Sequence, residues 1–379
     1  MPRQLLYQVI YRHFKAEIES GKLRSGDPIP TEQELIKFFN VSRATTTRAL
    51  QMLQSEHLIE RLPGRGSYVA ASHVEKFEAP PAKTNTRGRL VGMVAPFFNY
   101  AFGPDILAAV EQALAHQDWG LAVAASGGSQ QPEEEAIRRL VGLGADGLIV
   151  IPVNGEFYSQ EILRLHLESF PIVLIDKWLP GIQLPYVTSN NREAAEALTN
   201  HLLDLGHRAI AFFSPNLENT STLQERFSGY EAALVERQIL VNPAYVLHTV
   251  PPSADWPRDD NRQIDAIVEF LKSRPEVTAV FATDDELAYC WLESAHRIGY
   301  HVPRDFSIVC FDAPLTIAAA WSFTTAMQNQ KAIGIEAVRL LLEKIRGLDD
   351  PGTEEVIVPV SIHVGQSTDL APARLVHPS

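Results

Sequence analysis

The chain has 379 residues, of which 45% are hydrophobic, and a formal net charge of −13 at pH 7. This length and apolar content give room for two or three globular domains with a large core, which excludes fibrous and mainly disordered proteins. The two cysteines, Cys290 and Cys310, lie in unrelated segments and fit no metal spacing, so we predict no metal and no cofactor.

The N-terminal segment predicts an amphipathic helix. Leu6, Ile10, Phe14 and Ile18 recur at four-residue steps, which is typical of one apolar helix face and unlike a signal peptide. No apolar run approaches the roughly 20 residues that a membrane-spanning helix needs. We therefore expect a cytoplasmic protein.

The next stretch predicts a helix-turn-helix. Thr31 and Glu34 have the spacing of a capping box, and Ser42 is an N-cap residue that opens a second helix. The first turns of that second helix carry hydroxyl and cationic side chains, as expected of a helix end that enters a major groove. We predict base-edge or phosphate contacts from Thr31, Gln33, Arg43, Thr45, Thr46, Thr47 and Arg48.

A hairpin should follow these helices. Residues 58–62 and 67–70 are short apolar-rich runs, and Pro63-Gly64-Arg65-Gly66 joins them as a flexible turn with one exposed cation. A tip of this kind can reach a phosphate or a minor groove, so we assign a DNA contact to Arg65 and Gly66. For residues 31–70 as a whole, the alternative to a DNA-binding motif is an ordinary helical hairpin with solvated charges.

Charge is divided unevenly along the chain. Residues 1–72 hold ten Lys and Arg against seven Asp and Glu, a net charge of +3, whereas the remaining residues hold 23 against 39, a net charge of −16. An acidic protein can bind DNA if its cations are gathered on one face, and its acidic bulk keeps other surfaces off the duplex. The charge distribution is thus compatible with DNA binding.

The rest of the chain predicts an α/β fold. Residues 72–89 are poor in apolar side chains and contain a Pro pair, which is typical of a linker. From residue 90, short β-branched runs alternate with helical patterns, and the alternation starts again near residue 191, so we predict two doubly wound halves with parallel sheets. Ligands bind such sheets beyond the carboxyl ends of the strands, where two facing halves form a cleft.

These patterns divide the chain into three parts. Residues 1–71 form a DNA-binding domain, residues 72–89 a linker, and residues 90–371 an effector-binding and dimerisation domain. After the second half the chain is expected to return to the first and then cross back. The predicted lobes are about 90–188 with 318–346, and about 189–314 with 347–371.

Three motifs of the N-terminal part resemble the DNA-binding domain of the GntR family. In order along the chain they are Pro30-Thr31-Glu32-Gln33-Glu34-Leu35, Val41-Ser42-Arg43-Ala44-Thr45 and Gly64-Arg65-Gly66-Ser67-Tyr68-Val69. The resemblance implies a winged helix-turn-helix. Thr47 stands where the family often has Arg, which indicates an operator unlike the commonest ones.

Residues 90–368 resemble the effector domain of lactose-repressor (LacI) type regulators, which is similar to periplasmic sugar-binding proteins. The matching segments are Asn190 to Arg208, Arg226 to Tyr230, Ala282 to Ala288, Val302-Pro303 with Phe311-Asp312, and Thr324 to Asn329. The resemblance implies a two-lobed doubly wound domain. Its combination with a GntR-like head resembles the arabinose-repressor subgroup.

The resemblance places three charged side chains in the cleft: Arg226, Asp284 and Asp312. Asp284 departs from the common Asn of the family. Asp176 is a fourth candidate, because it stands at the end of a predicted strand. Asp312 could instead cap a loop, and Arg226 could pair with a helix end. We expect Asp285 to cap the helix that follows it.

An aromatic platform for a sugar is predicted after the first strand of the α/β part. Phe97, Phe98 and Tyr100 are the candidates, because four aromatic residues in a six-residue loop are hard to explain as core alone. Trp178, Trp256 and Trp321 are further candidates, with packing or dimer contact as the alternative. Lys177 could bind a ligand hydroxyl or be solvated.

Together these features predict a repressor of carbohydrate-metabolism genes that is controlled by a small sugar, a monosaccharide or a derivative. Dimerisation through the effector domain would place two heads on a two-fold symmetric DNA operator. The alternatives are a regulator that senses a nucleobase or another small metabolite, a sugar-responsive activator, and a sugar-binding protein with no DNA role. No catalytic motif occurs in a suitable context, so we expect no enzyme activity.

Overall fold

The computed structural model has two compact units, Met1–Arg87 and Gly88–Ser379, called here the head and the body. Apart from Arg89, the predicted linker lies outside the described residues. The described residues are 6–19, 22–23, 26–39, 41–55, 58–62, 66–69, 89–97, 102–154, 158–218, 220–249, 260–314, 321–348 and 354–373.

The head has the winged helix-turn-helix arrangement that the sequence predicts. Its strands form an antiparallel sheet in the order β1-β3-β2, in which β2 and β3 are the predicted hairpin. Strand β1 was not predicted. The elements are α1 (Leu6–Glu19), β1 (Pro28–Ile29), α2 (Glu32–Phe39), α3 (Arg43–Ser55), β2 (Ile59–Leu62) and β3 (Gly66–Val69).

Both predicted helix caps of the head are present. The Thr31 backbone N–H donates to Glu34 Oε2 (2.8 Å), and the Glu34 N–H donates to Thr31 Oγ1 (3.4 Å), which are the two bonds of a capping box. Ser42 Oγ accepts a hydrogen bond from the Thr45 N–H (3.3 Å) at the start of α3. The apolar faces of the helices meet in one core formed by Ile10, Phe14, Ile29, Leu35, Ala49, Leu50, Leu53, Ile59 and Val69.

The body begins with five parallel strands, and a helix follows each of the first three. Strands β6 and β7 are buried over their whole length, as expected of strands covered on both faces. The elements are β4 (Leu90–Ala95), α4 (Pro104–Ala115), β5 (Gly120–Ala125), α5 (Gln130–Gly142), β6 (Gly147–Val150), α6 (Gln160–Leu167), β7 (Ile172–Ile175) and β8 (Tyr186–Ser189).

A second alternating run follows. Its five strands are also mutually parallel. The elements are α7 (Asn191–Asp204), β9 (Ile210–Ser214), α8 (Ser221–Glu236), a 3₁₀ turn (Pro243–Tyr245), β10 (Val246–His248), α9 (Asp260–Ser273), β11 (Ala279–Ala282), α10 (Asp285–Arg297), β12 (Ser307–Phe311) and β13 (Thr324–Met327).

The last part of the chain is shared between the two lobes. Helix α11 (Gln330–Ile345) packs into the apolar core of the first lobe, strand β14 (Glu355–Val358) pairs with β8, and strand β15 (Ser361–His363) pairs antiparallel with β13. The strand orders are therefore β14-β8-β7-β6-β4-β5 in lobe 1 and β10-β9-β11-β12-β13-β15 in lobe 2. The predicted doubly wound α/β architecture is confirmed.

The chain crosses between the lobes three times. The crossings lie at Asn190, at residues 328–329 and at residues 359–360. The predicted lobe boundaries need two corrections, because β13 was assigned to lobe 1 and β14 to lobe 2. Backbone pairing places β13 beside β12 and β14 beside β8, and the side chains of a four-residue strand carry little information about which of two similar sheets it joins.

Two helix pairs of the body approach so closely that glycine is required. A Cβ atom on Gly229 of α8 would lie 2.1 Å from the carbonyl oxygen of Arg192 in α7. A Cβ atom on Gly334 of α11 would lie 2.8 Å from the carbonyl oxygen of Ile106 in α4. Because α8 also carries Arg226, the α7–α8 contact helps to fix a residue of the candidate site.

Gly229→Ala should lower the free energy of unfolding by about 3 kcal/mol or more, because the obstructing atom is backbone and cannot swing aside. Gly142, the last residue of α5, is a matched control, since a Cβ atom there meets nothing within 4 Å. Gly142→Ala should stabilise the protein by less than about 1 kcal/mol. Chemical denaturation measures both effects, and wild-type stability of Gly229→Ala would contradict the close approach.

Candidate functional site

The candidate DNA-contact surface of the head is the N-terminal half of α3. Arg43 and Arg48 are exposed there, Thr47 is half-buried, and Gln33 is exposed on α2. A helix N-terminus presents unbonded backbone N–H groups and a positive dipole, both of which favour phosphate oxygens. Arg43 is the first residue of α3, so its cation adds to this field.

Several predicted contact hydroxyls already have partners in the head. Thr31 Oγ1 donates to Glu34 Oε2 (2.8 Å), and Thr45 Oγ1 shares a hydrogen bond with Ser42 Oγ (2.8 Å). The prediction that Thr46 contacts DNA is wrong. Its side chain is fully buried, and its hydroxyl donates to the carbonyl oxygen of Arg43 (2.8 Å), so it stabilises the first turn of the helix.

The wing is described only at its base. Gly66 opens β3 and pairs with Leu62 of β2, which places it beside the hairpin tip. Arg65 lies outside the described residues. The DNA contacts assigned to Arg65 and Gly66 stay predictions.

The candidate ligand site of the body is built on matching strand ends in the two lobes. Asp176 follows β7 in lobe 1 and Asp312 follows β12 in lobe 2, and both have left-handed backbones, with φ of 70° and 57°. The Asp176 N–H donates to Val187 O, and the Asp312 N–H donates to Ala326 O, each over 2.9 Å. Each aspartate is thereby anchored to the neighbouring strand at the carboxyl end of its sheet, as the sequence predicted for a cleft.

Arg226 of α8 is buried in lobe 2 beside these strand ends. Its Nε donates to Asn191 Oδ1 (2.8 Å), and its Nη1 donates to the carbonyl oxygen of Thr283 (2.5 Å). Its guanidinium carbon lies 3.8 Å from the ring centroid of Phe311, a cation–π contact. Within the part of the chain that the structure describes, these bonds use Nε and Nη1, and Nη2 makes no hydrogen bond.

The four charged residues predicted for the cleft act on one another. Burial lowers the pKa of Arg226, whereas the carboxylates of Asp312, Asp176 and Asp284 oppose that shift. Burial raises the pKa of Asp312 to about 6, against the effects of Arg226 and of Gln328. Asp176 belongs to lobe 1 and the other three to lobe 2, so the cluster spans the two lobes.

Asp284 has a structural role in addition to its place in the cluster. It is the N-cap residue of α10, and its Oδ1 accepts a hydrogen bond from the Leu287 N–H (2.8 Å). The expectation that Asp285 caps this helix is wrong, because Asp285 is already the first residue of α10 and Asp284 holds the cap position. A ligand contact would use the remaining acceptor capacity of the carboxylate.

Two further polar residues lie in this region: Lys177, for which the sequence left a ligand contact or solvation open, and Gln328, which was not predicted. Lys177 adjoins Asp176, and its Nζ donates to Pro152 O (2.8 Å) and lies 3.9 Å from Asp176 Oδ2. Gln328, at the second crossover, donates to Asp312 from its backbone N–H (3.1 Å) and from Nε2 (2.6 Å). The Lys177 side chain is 13% exposed, and Gln328 is 6% exposed. Burial lowers the pKa of Lys177.

These two residues differ in how far the sequence could have indicated them. Lys177 directly follows the aspartate at the end of a strand, and this position indicates a place near the candidate site. The alternating pattern of a strand does not predict whether the first side chain of the following loop points inward. For Gln328 the sequence offers one indication, which is its position directly after the last parallel strand of lobe 2. Its bond to Asp312 joins residues 16 positions apart.

The predicted aromatic platform is only partly described. Phe97 is half-buried at the end of the first strand of lobe 1, where its ring faces Gly128. Phe98, Tyr100 and Trp256 lie outside the described residues. Trp178 is stacked on Tyr186, with ring centroids 5.4 Å apart, and its backbone N–H donates to Ser221 Oγ of lobe 2 (3.1 Å).

The charged residues of the candidate site provide both hydrogen-bond donors and hydrogen-bond acceptors. Arg226 and Lys177 supply donors, while Asp176 and Asp312 supply acceptors. Sugar hydroxyls both donate and accept, so the set is chemically suited to a polyhydroxylated ligand. Among the described residues no group of His, Cys, Asp and Glu is arranged to hold a metal ion, and no described helix is long and apolar enough to cross a membrane.

Comparison with known families agrees with both units. Residues 6–69 match the family described as bacterial regulatory proteins, gntR family, and residues 199–368 match the periplasmic binding protein-like domain. Arabinose metabolism transcriptional repressors are similar over most of their length. The protein from Geobacillus stearothermophilus is 28% identical (93% of this chain, 94% of the relative), and that from Halalkalibacterium halodurans is 25% identical (96% of each).

Solved structures share the fold of the body. The transcription regulator CcpA of Lactococcus lactis superposes with a TM-score of 0.65 at 22% identity, over 74% of this chain and 99% of that one. A LacI family transcriptional regulator from Enterococcus faecium, solved with bound ribose, has a TM-score of 0.61 at 23% identity, over 74% and 99%.

A winged-helix head and a two-lobed body in the same polypeptide define a DNA-binding transcription regulator. More particularly, the chain combines a GntR-family DNA-binding head (residues 6–69) with a periplasmic binding protein-like domain (residues 199–368), and it is similar to arabinose metabolism transcriptional repressors. The expectation that the protein is a regulator agrees with its relatives, which are transcriptional regulators and not enzymes.

The raised pKa of Asp312 predicts how stability depends on pH. An unfolded aspartate titrates near 3.9, so the folded chain holds an extra proton between about pH 4 and 6, and the resulting stability is lost as the pH rises through 6. Asp312→Asn removes this loss. From pH 4 to pH 7.5 the free energy of unfolding of the variant, relative to wild type, should therefore rise by about 2–3 kcal/mol. A pH-independent difference in denaturation experiments would contradict this assignment.

Proposed function

We propose that the protein represses carbohydrate-metabolism genes and that a small neutral sugar bound between the lobes controls its affinity for operator DNA. The observation that carries this proposal is the buried Arg226 guanidinium, which lies over an aromatic ring and acts on carboxylates of both lobes. A buried cation is stable when acceptors surround it, and its remaining N–H donors can bind a ligand hydroxyl.

The charge balance of the cleft supports a neutral ligand. Arg226 and Lys177 bring two positive charges, and Asp176, Asp284 and Asp312 bring three carboxyl groups. An anionic effector would have to approach this acidic set, whereas sugar hydroxyls can bond both signs. The relatives are named for arabinose metabolism, and one structural neighbour holds ribose, so L-arabinose and D-ribose are the first ligands to test.

In the head, we propose that Arg43 contacts a guanine edge or an adjacent phosphate and that Arg48 contacts a phosphate. Thr45, Thr47, Thr31 and Gln33 supply further base-edge or phosphate contacts. Arg65 and Gly66 supply the wing contact. The exposure of both arginines at the start of α3 supports these roles.

Two substitutions in different domains test the two halves of this function. Arg43→Ala should weaken operator binding about 10-fold to 100-fold, because it removes a base or phosphate contact, and should leave sugar binding unchanged. Arg226→Ala should lower sugar affinity at least about 100-fold and leave operator binding unchanged in the absence of sugar. Mobility shifts with DNA from the adjacent promoter and calorimetry with L-arabinose and D-ribose measure both.

Each variant is the control for the other. A wild-type protein that binds promoter DNA but neither sugar would support the alternative of a nucleobase or other metabolite sensor, which a thermal-shift screen identifies. Stronger operator binding in the presence of sugar would show that the ligand promotes binding. A protein that binds sugar but no DNA would refute a regulatory role.

We further propose that the protein is a homodimer through its body. Two exposed apolar side chains, Tyr289 and Val364, and the partly buried Trp321 adjoin Phe323 of lobe 2 or its backbone. Tyr289 is 52% exposed and its ring contacts Phe323, Trp321 contacts the same ring, and Val364, 67% exposed, precedes Gly365, which abuts the Phe323 backbone. An apolar patch on an otherwise polar surface is typical of a subunit interface.

The dimer proposal predicts that Tyr289→Asp combined with Val364→Asp yields a monomer, because two charges would be buried between copies. Operator affinity should fall at least about 10-fold, since a single head would then bind one half-site. Leu167→Asp, on the 84% exposed residue at the end of α6, is the control on lobe 1. Light scattering measures mass, and a dimeric double variant would refute this interface.

A further inference from the structure

A chain of buried hydrogen bonds runs from one side of the cleft to the other through the first crossover. Thr188 Oγ1 donates to the carbonyl oxygen of Asp176 (2.7 Å), and Asn191 Nδ2 lies 3.4 Å from Thr188 Oγ1. Asn191 Oδ1 accepts from Arg226 Nε (2.8 Å). The backbone of one candidate ligand residue is thus connected to the guanidinium of another.

The members of this chain belong to different lobes. Thr188 is in strand β8 of lobe 1, whereas Asn191 is the first residue of α7 in lobe 2. Asn191 Nδ2 also donates to the carbonyl oxygen of Ser189 (3.0 Å), so its amide bonds to both sides of the crossover. Thr188, Asn191 and Arg226 are 3%, 2% and 6% exposed, which means that water does not compete for these bonds.

The Thr188 hydroxyl supports a strained position. Asp176 has φ of 70°, a conformation that costs a residue other than glycine about 1–2 kcal/mol. Its N–H donates to Val187 O, and its carbonyl oxygen accepts from Thr188. Both backbone polar groups of Asp176 are therefore fixed by strand β8, so the orientation of its loop depends on that strand.

We propose that Thr188 and Asn191 are positioning residues that hold the Asp176 loop and the Arg226 guanidinium in register, and thereby couple ligand occupancy of the cleft to the angle between the lobes. The comparable bonds of Gln328 to Asp312 join the second crossover to the cleft. The regulatory part of this inference rests on the proposed function, but the mechanical part, which concerns the relative position of the lobes, does not.

Three substitutions test the individual hydrogen bonds between Asp176, Thr188, Asn191 and Arg226. Thr188→Val keeps the shape and removes the hydroxyl, and Thr188→Ser keeps the hydroxyl as the matched control. Asn191→Asp keeps an acceptor for Arg226 Nε but removes the amide donor that bonds Ser189 and Thr188. A residue that only stabilised the fold would lower Tm without changing the geometry or the coupling.

The first measurement needs no ligand. Spin labels at Leu167 of lobe 1 and Leu240 of lobe 2, which are 84% and 91% exposed, report the interlobe distance distribution by pulsed electron paramagnetic resonance in a Cys290→Ser background. Thr188→Val and Asn191→Asp should broaden or shift this distribution, while Thr188→Ser should match wild type. If all three match wild type, the proposal is overturned, whether or not any sugar or operator binds.

The second measurement uses L-arabinose and promoter DNA. The ratio of operator Kd with and without sugar should be about 5-fold to 150-fold in wild type and in Thr188→Ser, and should approach 1 in Thr188→Val. An unchanged ratio in Thr188→Val overturns the coupling. If wild type binds neither sugar nor DNA, the proposed function fails, and the distance distributions alone decide the mechanical proposal.

Discussion

The candidate ligand site depends on the burial of one guanidinium group. Removing a cation from water is costly unless acceptors and opposite charges surround it, so the Arg226 position requires Asn191, the Thr283 carbonyl and the Phe311 ring to meet at one point. These partners come from the start of α7 and from the ends of β11 and β12. A doubly wound sheet brings these distant segments to the same edge, where the guanidinium also interacts with the carboxylates of Asp312, Asp176 and Asp284.

The two lobes repeat one structural device. In each, an aspartate with a left-handed backbone ends a buried strand and donates its N–H to the next strand, and that next strand leads directly into a crossover. In lobe 1 this unit contains Asp176 and β8, and in lobe 2 it contains Asp312 and β13. Groups that can bind a ligand are therefore bonded to the segments about which the lobes would move, which gives a physical basis for allosteric control.

In the head, some side chains in the first turns of α3 make hydrogen bonds within the helix, and others are exposed on its surface. The hydroxyls of Ser42 and Thr45 bond each other at the helix start, and the Thr46 hydroxyl is turned to the backbone. The charged side chains Arg43 and Arg48 remain on the exposed surface. The positive field of the helix N-terminus attracts phosphate oxygens, and the two cations add to that field.

The sequence by itself determined the features that depend on near neighbours. The capping box, the helix faces, the hairpin and the strand–helix alternation follow from spacing over a few residues, and the motifs shared with known families predicted Arg226 and Asp312 as ligand contacts. Tertiary structure alone decided that β13 joins lobe 2 and β14 joins lobe 1, that Thr46 is buried, and that Gln328 and Asn191 bond to site residues. These depend on contacts between segments distant in the chain, and a short strand or a single polar side chain does not encode its partner locally.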